Sequence, residues 1–163
     1  MNVYRRIRKL SIGQLFKFAI LFLRNPLYII PTLRATQSTF TICTELFGNN
    51  HHAPNKANAF RHALWNALIC RKVEKRNKNK QKSVFWAQKV TDLYEKVTNN
   101  EPLDEAMDLH NNMMGRLCFL NFLGKNEAEL VDFIEKKAEN AKKVTNLIEI
   151  ANLSNEMVYL QTI

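Results

Sequence analysis

Two short runs hold the residues whose types and spacing can do chemistry. In Asn55-Lys-Ala-Asn-Ala-Phe-Arg-His-Ala-Leu-Trp-Asn-Ala-Leu-Ile69, the residues Asn55, Asn58, His62 and Asn66 recur at helical spacing on one face, and Arg61 sits beside them. Phe60, Ala63, Leu64, Ala67 and Leu68 fall opposite, as ordinary core. A face turned to water usually carries Lys and Glu, whereas short amides and an imidazole suit a ligand or a buried hydrogen-bonded network. Asparagine is also a poor interior helix former, so helix stability does not select these residues. The second run, Met107-Asp-Leu-His-Asn-Asn-Met-Met-Gly-Arg116, places Asp104, Asp108, Asn111, Asn112 and Gly115 on one face of a predicted helix. His110 falls on the other side with Leu103, Met107, Met114 and Leu117, and is read as a hydrogen-bonded histidine within the packing.

Three roles fit this set. If the two helices pack antiparallel, Asp108 can meet His62. A carboxylate hydrogen-bonded to one imidazole nitrogen fixes the tautomer and raises the basicity of the other, which then activates water or a hydroxyl. Asn58, Asn66, Asn111 and Asn112 would orient substrate or stabilise an oxyanion, with Arg61, His110 and Arg116 completing the candidate binding residues. In the second role His62 and Asp108 join Glu95 and Asp92 as nitrogen and oxygen ligands of a divalent cation. Asp92 and Glu95 also read as a solvent face with Lys89 and Lys96 nearby. In the third role the polar stripes only lock the helices together. The chain has no GxSxG serine, P-loop, HExxH or GxGxxG run.

The elements that must position these residues read as all-α. A chain of 163 residues with four glycines, four prolines and 46% hydrophobic residues suits a single-domain bundle of about five to seven helices. Basic and apolar helices are expected over residues 1–50, motif-bearing helices over 55–123 and a supporting helix over 127–153. The apolar run Ile12–Leu23 is interrupted by Lys17 and falls short of the roughly 20 residues that span a bilayer. It is read as a core-packing helix or an amphipathic element lying in a membrane interface. No small-residue cleavage site follows it. Pro31 to Phe47 reads as a helix stopped by Gly48. His51 and His52 lie in a loop and read as solvated rather than coordinating. Arg71 to Lys82 reads as a solvated connection or frayed helix end, Val84 to Thr98 as a helix, and Leu103 to about Leu123 as another. Gly124-Lys-Asn126 breaks the chain before the supporting helix, and the tail from Ser154 stays unassigned.

The net charge is +9, and two blocks carry it. Residues 1–34 hold seven basic side chains and no acid, and residues 71–82 hold seven against Glu74. Such blocks attract phosphate on an anionic membrane or on nucleic acid. Cys43, Cys70 and Cys118 lack CxxC spacing and sit among apolar residues, so they read as reduced thiols and not as a disulfide framework or zinc knuckle.

Asn58-Ala-Phe-Arg-His-Ala-Leu-Trp65, followed by Met107-Asp-Leu-His-Asn-Asn112 and Gly115-Arg116, resembles a small bacterial domain family of poorly established function. That domain occurs alone and at the C-terminal end of Rhs-type or wall-associated polymorphic toxins. The match covers about residues 55–117. The family pattern includes an intervening helix ending Asp-Ala-His-Glu; here the stretch is Asp92-Leu-Tyr-Glu95, with Tyr94 where a histidine is expected. The resemblance implies a toxin-effector context, a cognate immunity protein as partner, and a hydrolytic site at His62, Asp108, His110 and the asparagines. Prokaryotic phospholipases A2 are similar in layout only. The reading that follows is a hydrolase-like effector acting on a phosphate-rich target, membrane phospholipid foremost. No cofactor is called for except, in the metal role, a divalent cation. Its place would be cytoplasmic, or exported without a cleaved signal peptide, and peripheral at the membrane. The alternatives are a non-enzymatic membrane- or partner-binding protein and a metal-dependent nuclease that uses the Arg71–Lys82 block.

Overall fold

Side-chain caps set most of the helix starts. The computed structural model describes residues 11–98, 101–123 and 126–160, so the first part of the basic start, including Arg5, Arg6, Arg8 and Lys9, and the Gly124-Lys125 break lie outside the described residues. Helix α1 (Ile12–Leu23) opens on a capping box, in which the Ser11 hydroxyl accepts from the Gln14 N–H while the Gln14 side chain accepts from the Ser11 N–H. A 3₁₀ turn (Pro26–Tyr28) leads into α2 (Ile29–Phe47), which stops at Gly48 with φ 58°, a left-handed conformation that glycine takes without strain. A second 3₁₀ turn (Asn50–His52) precedes α3 (Lys56–Asn77), capped by Asn55, whose Oδ1 accepts from the Asn58 N–H at 3.1 Å. Asn55 therefore begins the helix and does not extend its polar stripe. Then come α4 (Lys80–Thr98), α5 (Pro102–Asn121) with proline in its first turn, and α6 (Glu127–Glu139) capped by Asn126. The all-α expectation holds, with seven α-helices among the described residues once the short α7 (Leu147–Asn152) is included.

Two expectations need correction. Arg71–Lys82 is neither a loop nor frayed. Helix α3 runs to Asn77, Lys78 adopts the left-handed conformation and donates to the Glu74 carbonyl at 2.7 Å, and α4 starts at Lys80. Asn77 and Asn79 supply the local bonds that make so short a turn, accepting from the N–H groups of Asn79 and Lys82 at 2.8 Å each. The supporting helix does not reach residue 153. Asn140 closes α6 by donating to the Lys136 carbonyl at 2.7 Å, and the chain then forms β1 (Lys142–Val144), α7 and β2 (Val158–Leu160). The two strands pair in parallel, Lys142 with Val158 and Val144 with Leu160.

Helix α3 is central, packed by α2, α4, α5 and α6 and buried on nearly every side along residues 58–70. This explains why its polar stripe lacks Lys and Glu: no face of it meets water. Helices α3 and α5 run parallel, since Asn58 neighbours Asp108, His62 neighbours Asn112, and Asn66 neighbours Arg116. The antiparallel packing expected from the two motifs is thus wrong. The physical reason is α4, which reverses the chain once after α3 and again before α5. At the α3–α5 crossing, a Cβ built on Gly115 would lie 2.0 Å from the Ala63 carbonyl oxygen, inside any real contact distance.

Burial raises the pKa of Cys43 and Cys70 to about 12 and of Cys118 to about 11, so all three stay protonated and unreactive. Alkylation at neutral pH should label none of them in the folded chain and all three after denaturation; ready labelling of the native protein would contradict this packing. Gly115→Ala should lower stability in urea unfolding by about 3 kcal/mol, through forced separation of α3 and α5. A loss under about 0.5 kcal/mol would show that the helices are free to give way.

Candidate functional site

Each of three helices contributes residues four apart on the side facing the others. Helix α3 brings Asn58, His62 and Asn66; α4 brings Thr91 and Glu95; α5 brings Asp108, Asn112 and Arg116. All eight are buried. A buried polar set of this size is stable only if its donors and acceptors match, so the bonds fix the chemistry.

The matching starts at Arg116, which can only donate. Its Nη1 donates to Asn66 Oδ1 at 2.9 Å, and the Thr91 hydroxyl donates to the same oxygen at 3.2 Å. Asn66 Nδ2 therefore faces Asn112 Oδ1 and donates to it at 2.7 Å, and also to the His62 carbonyl at 3.2 Å. Asn112 is oriented in turn, so that its Nδ2 donates to Glu95 Oε1 at 3.0 Å. His62 Nδ1 then faces two acceptors, Asn112 Oδ1 at 3.2 Å and Glu95 Oε1 at 3.4 Å, and must carry a proton. The tautomer follows: Nδ1 is the N–H, and Nε2 bears the lone pair in the neutral ring.

On the Nε2 side lie Arg61 Nη2 at 2.6 Å and Asp108 Oδ1 at 3.1 Å. Arg61 is anchored by its Nε, which donates to the His51 carbonyl at 3.0 Å. With its amide nitrogen turned to Asp108, Asn58 donates to Oδ1 at 3.2 Å and accepts from Arg61 Nη2 at 3.1 Å. Arg61 brings a donor to Nε2, whereas Asp108 brings an oxygen, so a proton must lie between Asp108 and the ring. Burial pushes the Asp108 pKa up; His62 draws it down, Glu95 raises it again, Arg61 lowers it and Asp104 raises it. A carboxyl group that holds its proton beside an imidazole lone pair is a proton-sharing pair. The outer edge of the centre is also on this side, since the Asp108 side chain is 8% exposed against 1% for His62 and 0% for Glu95.

The remaining candidates divide clearly. Glu95 joins the centre through His62 and Asn112. Asp92 does not; its charge instead supports that of Arg116, whose pKa burial lowers. Arg116 itself orients Asn66 from behind the imidazole. Asn111 lies elsewhere: it donates to the Val158 carbonyl at 2.8 Å and accepts from the Val158 N–H at 3.0 Å, which pins β2 to α5. His110 bonds the Glu156 carbonyl at 2.8 Å, a packing role. Neither reaches the His62 centre, because positions 110 and 111 turn away from the stripe of 108, 112 and 116. Tyr94, in the expected histidine position, packs edge-to-face on Trp65 with ring centres 5.2 Å apart. His51 is buried, not solvated, with its ring 4.0 Å from that of His52 and its carbonyl holding Arg61. Sequence reasoning missed Thr91 and the orienting roles of Glu95 and Arg116; their spacing on α4 and α5 was the available signal.

His62, Glu95 and Asp108 each offer one ligand atom, all within 4.8 Å of one another, so the group can hold a metal ion. The Arg61 guanidinium and the proton on Nδ1 compete with that use.

The architecture is an all-α bundle with a histidine held between two carboxylates in its interior. The chain belongs to the family described as a domain of unknown function, DUF6973, whose model matches residues 19–142. That span takes in the C-terminal part of α1 and all of α2 to α6, more than the motif stretch alone. No curated protein and no solved structure matches the chain.

Because the folded pKa of Asp108 is raised above its ordinary 3.8, folding favours the protonated form. That contribution to stability is complete below about pH 4 and is lost as pH rises through the raised pKa. Asp108→Asn removes the titration, so the melting temperature of the variant relative to wild type should climb over the range above about pH 4. A flat difference over that range would show that Asp108 titrates as an ordinary carboxylate.

Proposed function

We propose that the chain is a hydrolase-like effector domain that cleaves the carboxylic ester of a membrane phospholipid, with His62 as general base. The supporting observation is the fixed tautomer: Glu95 and Asn112 hold Nδ1–H from behind, and Nε2 points to the less buried side among Asp108, Arg61 and Asn58. Glu95 thus takes the orienting role that the motifs suggested for Asp108, and Asp108 becomes the proton partner. An arriving lipid phosphate draws the Arg61 guanidinium from Nε2 and opens the base to water. Nε2 takes a proton as the water oxygen bonds to the ester carbon, Arg61 and Asn58 face the developing oxyanion, and the proton passes to the leaving alkoxide as its carbon–oxygen bond breaks. The products are a fatty acid and a lysophospholipid. The resemblance to bacterial toxin C-termini supplies the biological setting, with a cognate immunity protein as the partner that blocks the site.

A metal-dependent variant, with His62, Glu95 and Asp108 as ligands, is the second reading and is favoured by their mutual proximity. It requires Arg61 to move and Nδ1 or Nε2 to be free for the ion. Nucleic acid is the weaker target, because within the basic block Lys72 is spent on Glu127 at 2.9 Å.

Fatty-acid release from anionic phospholipid vesicles tests the proposal. His62→Ala and Asp108→Asn, each checked for helicity, should lower the rate by about 10² to 10⁴. No release by wild type, or equal release by folded His62→Ala, rejects it; loss of release on chelation, restored by a divalent cation, moves the assignment to the metal reading.

A further inference from the structure

We infer that the bent pair α1–α2 docks the protein on an anionic phospholipid bilayer, lying in the interface with its apex among the head groups. The inference deepens the phospholipid reading and rests on it for the purpose of the surface, although the surface itself stands on separate observations.

Helix α1 contains no buried residue. It is nonetheless fixed in place, because the Gln14 side chain donates to the Val97 carbonyl of α4 and the Phe22 ring lies 5.7 Å from that of Trp86. Gln14 and Phe22 define its inner side, and Ile12, Phe16 and Leu23 project from the opposite one. These three are 87%, 65% and 77% exposed, and beyond the bend Leu27 and Ile30 are 62% and 55% exposed. Single exposed leucines are ordinary, but a continuous row over two helices marks a binding surface.

The shape and charge select the partner. The pair bends by 105° at the break after Leu23, so Leu23, Leu27 and Ile30 gather where the two helices meet. Among the described residues no single helix is long and apolar enough to cross a membrane. Helix α1 has 12 residues and, at the usual helical rise, is about 18 Å long, against a hydrocarbon core of about 30 Å. It suits lying in the interface. Around the apolar row stand Lys17, Arg24 and Arg34, and no acid occurs from residue 11 to residue 44. Cations flanking exposed Phe, Leu and Ile match negative head groups above acyl chains. A second copy of the chain would oppose the same cations with no acid between them, which disfavours self-association through this face.

Co-sedimentation with vesicles tests this, using phosphatidylglycerol mixed with phosphatidylcholine against phosphatidylcholine alone. Wild type should bind the anionic vesicles and release them at high salt. The double variant L23E/L27E, which alters only exposed side chains, should keep its helicity and bind at least about tenfold more weakly. Equal binding by wild type and double variant overturns the inference, as does a wild-type dimer in solution that the same substitutions dissolve. Asp108→Asn separates the two readings: it should sediment as wild type does while releasing fatty acid at least about a hundredfold more slowly. Binding without release by wild type rejects only the chemistry.

Discussion

A hydrogen where any other residue would carry a Cβ sets the distance between α3 and α5. Gly115 lies so close to the Ala63 carbonyl that even a methyl group would enter its van der Waals shell. One turn to either side, the short side chains of Asn112, His62 and Asn66 can then touch directly, with contacts of 2.7 to 3.2 Å. Longer polar groups would have no room, and a wider gap would leave the amides unbonded in an interior without water. An unmet buried donor or acceptor costs about 1 to 3 kcal/mol. The close approach therefore decides both that the polar stripes are short amides and that they are affordable in a core.

The second constraint is direction. Amides can turn end for end, and a network made only of amides has two equivalent polarities. Arg116 removes that freedom, because a guanidinium never accepts. Its bond to Asn66 fixes Asn66, Asn66 fixes Asn112, and Asn112 together with Glu95 fixes the proton of His62 on Nδ1. The imidazole thus reaches its Nδ1–H tautomer through a relay that starts at Arg116. Arg61 does comparable work on the near side, where it is tied to the loop carbonyl of His51 and offers positive charge beside two carboxylates. With one proton shared between Asp108 and His62, Arg61 balances the Glu95 carboxylate and the buried group is neutral, which is the condition for burying so many charges.

Much of this was legible in the sequence, and the limits have physical causes. The amide stripe of α3 has no ordinary solvent-face composition, and its burial explains why. Asp108 meets His62 at 3.1 Å, through parallel packing and not the antiparallel packing that was expected to bring them together. The relative direction of the two helices was not legible from the motifs, since it depends on how many reversals lie between them, and α4 adds a second. Glu95 could be recognised as a candidate ligand but not as an orienting group, because its spacing from Thr91 puts the two on one face and only packing shows that this face points inward. Asn111 and His110 carry the same residue types as the centre, yet they serve the β2 strand. That strand has three residues, and β1 opens with two lysines, so neither has enough alternation to announce itself.

Helix α4 touches both the buried centre and the exposed helix pair. Its last turns carry Glu95, which grips the imidazole, and Val97, whose carbonyl receives the Gln14 side chain of α1. The same helix presents Trp86 to Phe22 of α1 and donates from its indole to Thr32 of α2 at 2.9 Å. The exposed helix pair is thus bonded to the scaffold that orients His62. One helix therefore holds both the outer helix pair and the Nδ1 side of the imidazole.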